Sequence, residues 1–279
     1  MLKKLNLPYI PTKIRKFAVM NLAIDVGNTL AKAALFEENL LKTYFEPLDE
    51  QSLMVVMAQE KIRNIIISTV NSRADDLLKL IPSHIPIFRL QYQMPLPIQH
   101  LYHTPATLGM DRVAAATGAT VLFPLANRLV IDAGTCITYD FVDSQNIYHG
   151  GSISLGLQMR FRALHEFTAK LPLFSKENFK ENVSFIGNST ETSMVSGVVN
   201  GMISEIEGFI MRYHQKFGEL QVIFCGGDAH FLWTKLRNER WTSKQVKVEY
   251  KKELLFIGLN EILLYNLKNI NQVSIEQFN

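Results

Sequence analysis

The sequence predicts an α/β fold built as two related halves. Three observations carry this. Short β-rich runs alternate with helical patterns along the chain, as they do in α/β proteins. The segment Leu22-Ala23-Ile24-Asp25-Val26-Gly27-Asn28-Thr29 resembles Leu129-Val130-Ile131-Asp132-Ala133-Gly134-Thr135-Cys136, at an offset of 107 residues. The length of 279 residues suits two domains by the usual prior of about 150 residues each.

The elements can be read in order. Leu22–Val26, Lys32–Phe36, Ile65–Ser68, Leu129–Asp132, Ile137–Val142 and Val222–Cys225 are β-rich runs. Most are short and bounded by Gly, Asn or Asp, the pattern of buried strands. Asp111–Val121 is rich in Ala, which favours helix. Leu157–Ala169 carries Leu157, Phe161, Leu164 and Phe167 near a 3.6-residue period. Thr192–Phe217 and Glu253–Leu267 present longer apolar faces of the same kind. Pro and Asn interrupt the Ala-rich helix near Pro124–Arg128, which sets the expected boundary between a half at 20–125 and a half at 126–279.

Composition excludes several classes. An apolar content of 47% with only 15 Gly and 10 Pro rules out a disordered or collagen-like chain. Net charge is +3, but Lys3, Lys4, Lys13, Arg15 and Lys16 all lie in residues 1–19, which contain no acid. Without those five, 24 basic residues face 26 acidic ones, so the body carries no overall signature for nucleic acid. Residues 1–19 read as a basic extension, with Met20 at the start of the first half. No apolar run approaches the roughly 18 residues that span a bilayer, so no membrane partner is expected. Cys136 and Cys225 fit no zinc spacing or disulfide framework, which makes a reducing cytoplasm the default compartment.

Four segments can carry chemistry. In Asp25–Lys32 an acid ends a strand and Gly27 turns the chain, so a ligand oxygen can approach the main chain closely. Asn28 and Thr29 add side-chain donors and Lys32 a cation; such a hairpin can cradle phosphate. Asp25 suits Mg²⁺, which one or two carboxylates hold together with waters and phosphates. The plainer reading of this segment is an ordinary turn. Asp132-Ala133-Gly134-Thr135 repeats the pattern, and two facing hairpins could grip a nucleotide's phosphates from both sides. No Walker loop or GxGxxG fingerprint is present. Asp111 and Arg112 open the Ala-rich helix, where an acid either caps the first turn or stays ionised to accept a proton. Cys225-Gly226-Gly227-Asp228-Ala229 ends a strand with a Gly pair, against which a flat ring or a phosphate could lie.

Taken in order, these segments resemble type III pantothenate kinase, a family of the acetate kinase, sugar kinase, Hsp70 and actin superfamily. The matching pieces are DVGNTLAK at Asp25–Lys32, YHTPATLGMDR at Tyr102–Arg112, DAGTCITYD at Asp132–Asp140, GGSISLG at Gly150–Gly156, GNSTETSMVSG at Gly187–Gly197 and CGGDA at Cys225–Ala229. The resemblance implies duplicated actin-like (ribonuclease H-like) domains, with the nucleotide in the cleft between them. It implies ATP-dependent phosphorylation of pantothenate, the first step towards coenzyme A. Asp25 would position Mg²⁺, and Val26, Gly27, Asn28, Thr29, Leu30, Ala31 and Lys32 would line the first phosphate site. Asp132 would bind a monovalent cation, K⁺ or NH₄⁺, and Thr135 would contact ATP phosphate. Gly226 and Gly227 would lie on the nucleotide side. Asp111 would be the general base. Tyr102, Gly109, Met110, Asp111 and Arg112 would hold pantothenate, with Arg112 near its carboxylate. Thr190 would complete the pocket of a partner subunit, so a homodimer is implied. Leu155, Asn188, Cys136 and Cys225 depart from the residues usual in the family. Two rival readings share the fold: a non-catalytic regulator resembling the Bvg accessory factor, and a kinase of the superfamily acting on another small substrate.

Overall fold

The computed structural model of the protein describes residues 19–69, 73–176, 183–236 and 245–276. The basic segment therefore lies outside the described residues, except for Val19.

Two mixed sheets organise the chain. The first holds β1 (Met20–Val26), β2 (Ala31–Glu37), β3 (Leu40–Phe45), β4 (Ile62–Thr69) and β5 (Ile87–Arg89), in the order β3-β2-β1-β4-β5. The second holds β6 (Gln99–His100), β7 (Arg128–Ala133), β8 (Cys136–Val142), β9 (Ile147–Leu155), β10 (Leu220–Cys225) and β11 (Val246–Tyr250), in the order β11-β10-β7-β8-β9-β6. Apart from β6, the two orders are the same when β1 is matched to β7. The strand directions match as well. β1 pairs antiparallel with β2 and parallel with β4, and β7 pairs antiparallel with β8 and parallel with β10. The repeat seen in the sequence is therefore a repeat of topology.

Both faces of each sheet are covered, which is why the central strands read as unbroken apolar runs. Helices α1 (Glu50–Gln59) and α2 (Arg73–Lys79) cover the outer face of the first sheet. Helices α4 (Leu157–Glu166), α5 (Thr190–Phe217) and α6 (Ala229–Leu236) cover the outer face of the second. The inner faces are covered crosswise. Helix α3 (Met110–Leu122) precedes the expected boundary but packs on β7 and β8, and β6 joins the second sheet. Helix α7 (Leu254–Glu276), near the end of the chain, packs on β1, β2 and β4. There Phe256, Leu259, Ile262 and Leu263 bury against Ala23, Ala34, Phe36 and Ile66. A buried Asn chain fixes this docking: Asn64 Nδ2 donates to Asn21 Oδ1 (3.0 Å), Asn21 Nδ2 to Asn260 Oδ1 (3.3 Å), and Asn260 Nδ2 to the Glu38 carbonyl (2.8 Å).

Helices α3 and α7 cross where glycines let their backbones touch. A Cβ on Gly118 would collide with the Leu254 carbonyl, and one on Gly258 with the Ala114 carbonyl. Helix α5 begins at a capping box, Ser189 with Thr192, and stops at Gly218 with φ +78°. Among the described residues no helix is long and apolar enough to cross a membrane.

Candidate active site

The equivalent strands β1 and β7 deliver equivalent carboxylates. Asp25 stands one residue from the end of β1, and Asp132 one residue from the end of β7. Each faces a hydrogen-bond donor on the neighbouring parallel strand. Asp25 is in register with Ser68, and Asp132 with Cys225. The Ser68 hydroxyl and the Cys225 thiol hydrogen-bond to these carboxylates. Cys225, a departure from the family pattern, thus does in the second half what Ser68 does in the first.

Burial, followed by the nearby charges of Asp111 and Asp132, raises the Asp25 carboxyl to about 7. Burial, followed by Asp111 and Asp140, raises Asp132 to about 6. Ser68 and Lys32 oppose the first shift; Lys32 and Cys225 oppose the second. Three of the proposed site carboxylates therefore crowd one region with Lys32. Such crowding calls for cations. Among the described residues no group of three His, Cys, Asp or Glu side chains could hold a metal ion. A single carboxylate at each turn matches the ligation of a cation whose remaining ligands are water and phosphate, as Mg²⁺ prefers.

The glycine turns close on their own backbone. The Gly27 N–H donates to the Leu30 carbonyl (3.1 Å) and the Gly134 N–H to the Cys136 carbonyl (2.8 Å). Closing so tight a turn engages that N–H, so neither is presented to a phosphate. What the turns do present is their tips, where Asn28, Thr29, Leu30 and Thr135 are exposed. Gly226, with φ +97°, lets the chain leaving β10 pass directly against Asp132 and Ala133, where any Cβ would clash. The Asp228 N–H then donates to the Ala133 carbonyl (2.8 Å), which seats the Gly226-Gly227 turn on the second loop.

Lys32 lies opposite Asp25 on β2, and its Nζ sits 2.7 Å from Glu46 Oε1. Lys252 Nζ approaches the other Glu46 oxygen at 2.7 Å. Burial acts to raise the Glu46 carboxyl, but hydrogen bonds from the two lysines win and hold it at about 2. Sequence reading missed this link, because Glu46 and Lys252 sit far from Lys32 along the chain and match no motif.

Helix α3 supplies Asp111 and Arg112 from its first turn. Gly109 is the N-cap, and a Cβ there would stand 2.6 Å from Asp111 Oδ1, so glycine leaves room for the carboxylate. Asp111 Oδ1 also accepts the Arg112 N–H (2.8 Å). The capping reading and the catalytic reading are therefore compatible. Arg112 is 8% exposed and does not stand open to solvent. Its Nε donates to Asp140 Oδ1 (2.9 Å), and its Nη2 lies 2.7 Å from the same oxygen. Burial works against the guanidinium's charge, but the Asp140 hydrogen bond outweighs it and raises the pKa. Tyr102, whose ring lies 3.3 Å from where a Cβ of Gly150 would be, is near enough to Arg112 to help raise its pKa.

Thr190 lies elsewhere. It is exposed and lines a groove of about 1190 Å³ with Leu155, Leu164, Phe167 and Met194. None of Asp25, Asp111, Arg112 or Asp132 lines that groove.

A family model described as type III pantothenate kinase matches residues 21–212. A type III pantothenate kinase of Christiangramia forsetii is 40% identical over 258 residues, covering 88% of this chain and 99% of that protein. One from Bacteroides fragilis is 42% identical over 250 residues, covering 88% and 98%. Among solved structures, the Clostridium difficile activator of 2-hydroxyisocaproyl-CoA dehydratase, with bound ADPNP, aligns at TM-score 0.54 and 10% identity over 92% of this chain and 97% of its own. A Campylobacter jejuni chain described as a Baf family transcriptional activator aligns at TM-score 0.56 and 23% identity over 88% and 99%. At these identities the structures speak to the fold alone, which is the actin-like one of two mixed sheets flanked by helices. The matched span runs from β1 into α5 and takes in both aspartate turns and the Asp111-Arg112 pair. The chain therefore belongs to the type III pantothenate kinase family.

Proposed function

We propose that the protein transfers the γ-phosphoryl group of ATP to the primary hydroxyl of pantothenate, the first step of coenzyme A synthesis. The observation that carries this reading is the convergence of Asp25 and Asp132, one from each sheet, with Lys32 from β2 and Asp111 from α3. Phosphoryl transfer needs positioning and charge neutralisation more than covalent help. Asp111 accepts the hydroxyl proton. Lys32, steadied by Glu46, faces the phosphates together with the tips of the 27–30 and 134–135 turns. Gly226 and Gly227 lie on the nucleotide side. Arg112, beside Tyr102, Gly109 and Met110, takes the pantothenate carboxylate. Mg²⁺ at Asp25 and a monovalent cation at Asp132 would neutralise charge on the transferring group.

A coupled assay of ADP release tests this. Turnover should require pantothenate and should fall when K⁺ is replaced by Na⁺. If the cation makes no difference, the role of Asp132 fails. If pantothenate brings no turnover, the regulator reading returns; if another small acceptor brings it, the alternative kinase reading does.

We also propose a cytoplasmic homodimer, descended from a duplication with halves at 20–125 and 126–279. The groove that holds Thr190 supports the dimer. So do large apolar side chains left open nearby: Phe167 is 86% exposed, and Phe185 and Ile186, just before α5, are 84% and 78% exposed. Exposure of this kind marks an interaction surface. Light scattering should give twice the 31.8 kDa chain mass. Phe167→Glu should yield a monomer with impaired pantothenate use. A fully active monomer would rule out the shared pocket.

A further inference from the structure

Asp140 is fully buried inside β8, between Tyr139 and Phe141. Its carboxylate collects donors from three elements. Oδ1 accepts Arg112 Nε from α3 (2.9 Å) and the Tyr148 hydroxyl from β9 (2.6 Å). Oδ2 accepts the Thr138 hydroxyl from β8 (2.8 Å). A buried ion pair contributes little net stability compared with apolar packing of the same volume, so its presence calls for another reason.

The Arg112 guanidinium supplies that reason. Its Nη2 is buried and stands 2.7 Å from Asp140 Oδ1, yet no acceptor lies along its N–H bonds. The pair thus fixes one edge of the planar fork and leaves buried donors without an acceptor beside Tyr102. Arg112 is also the next residue to Asp111. Untethered, this cation would be drawn to that carboxylate.

We propose that Asp140 is a positioning residue for substrate choice. It turns the Arg112 fork towards the acceptor's carboxylate and away from Asp111, with Tyr148 and Thr138 holding Asp140 in turn. Asp140 also neutralises Arg112, so the substrate carboxylate is read by hydrogen-bond direction and not by net charge. Such a contact is strongly dependent on angle. The inference rests on the reading of Arg112 as the carboxylate contact.

The test compares kcat/KM for pantothenate with that for pantothenyl alcohol, which lacks the carboxylate. The wild type should prefer pantothenate. Asp140→Asn should cut that preference by about tenfold or more, the worth of a charge-assisted hydrogen bond. The change should enter through the KM for pantothenate, with the KM for ATP unmoved. A purely structural role would lower kcat for both acceptors and leave their ratio alone. Tyr148→Phe and Thr138→Val should lower the ratio less. They decide the matter if Asp140→Asn does not fold, and an unchanged ratio in both would then overturn the proposal. Arg112→Lys separates the two levels. If it loses the preference while Asp140→Asn keeps it, positioning by Asp140 is overturned. If Arg112→Lys keeps the preference too, the carboxylate reading falls and the proposal falls with it.

Discussion

Asp111→Asn should lower kcat by about 10²–10⁴-fold, the usual cost of removing a general base. The amide keeps the size of the side chain and can still accept the Arg112 N–H, so the first turn of α3 should survive. What it loses is the capacity to take the hydroxyl proton as the phosphoryl group departs. Charge is lost as well, and the sign of that effect is known. The charge of Asp111 is one of the causes that raise Asp25 and Asp132. Its removal therefore relieves repulsion between partly buried carboxylates, so the melting temperature of the free protein at pH 8 should not fall. Steady-state kinetics at saturating pantothenate, paired with a thermal melt, give both readouts. Turnover near that of the wild type would remove Asp111 from the chemistry.

Gly258→Ala should destabilise the fold, whereas Gly208→Ala should not. Both replace glycine in a helix, and propensity alone would make each change favourable by up to about 1 kcal/mol. The surroundings decide between them. Nothing lies within 4 Å of a Cβ at Gly208, so the gain remains. At Gly258 the new atom meets the Ala114 carbonyl, which is backbone and cannot swing aside. Helix α3 must move bodily. Overpacking of this kind costs about 1–3 kcal/mol or more, and in a chain of this size each kcal/mol lowers Tm by roughly 2–4 °C. Because α3 carries Asp111 and Arg112 at its N-terminus, activity should fall with stability. Equal melting temperatures for the two variants would mean that the helix crossing is not as tight as described.

Much of this architecture is legible locally. Strands β1 and β7 announce themselves as apolar runs ending in an acid and a glycine, because both faces are covered and a tight turn begins where the strand stops. Helix α3 is legible from its alanines, which let it fit between α7 at Ala114 and the second sheet at Ala115, Ala116 and Ala119. The edge strands β5 and β6, with three and two residues, carry too little pattern to be seen. The contacts that orient site residues are hidden for a different reason. Asp140 lies 28 residues from Arg112, and Glu46 is joined to Lys32 and Lys252 only by folding. One signal was available: an acid in the run Thr138-Tyr139-Asp140-Phe141-Val142 requires a buried cation somewhere. Ser68 offered no such cue; its role appears only when β4 is laid beside β1.

The crosswise placement of α7 has a consequence for how the protein is made. Synthesis delivers β1 to β5 first, but the inner face of that sheet is closed by residues 254–267, which follow every strand of both sheets. The nascent first half must wait with Ala23, Phe36 and Ile66 uncovered, within reach of chaperones. A message broken before codon 254 would encode both aspartate turns and still yield a chain unable to close its first core.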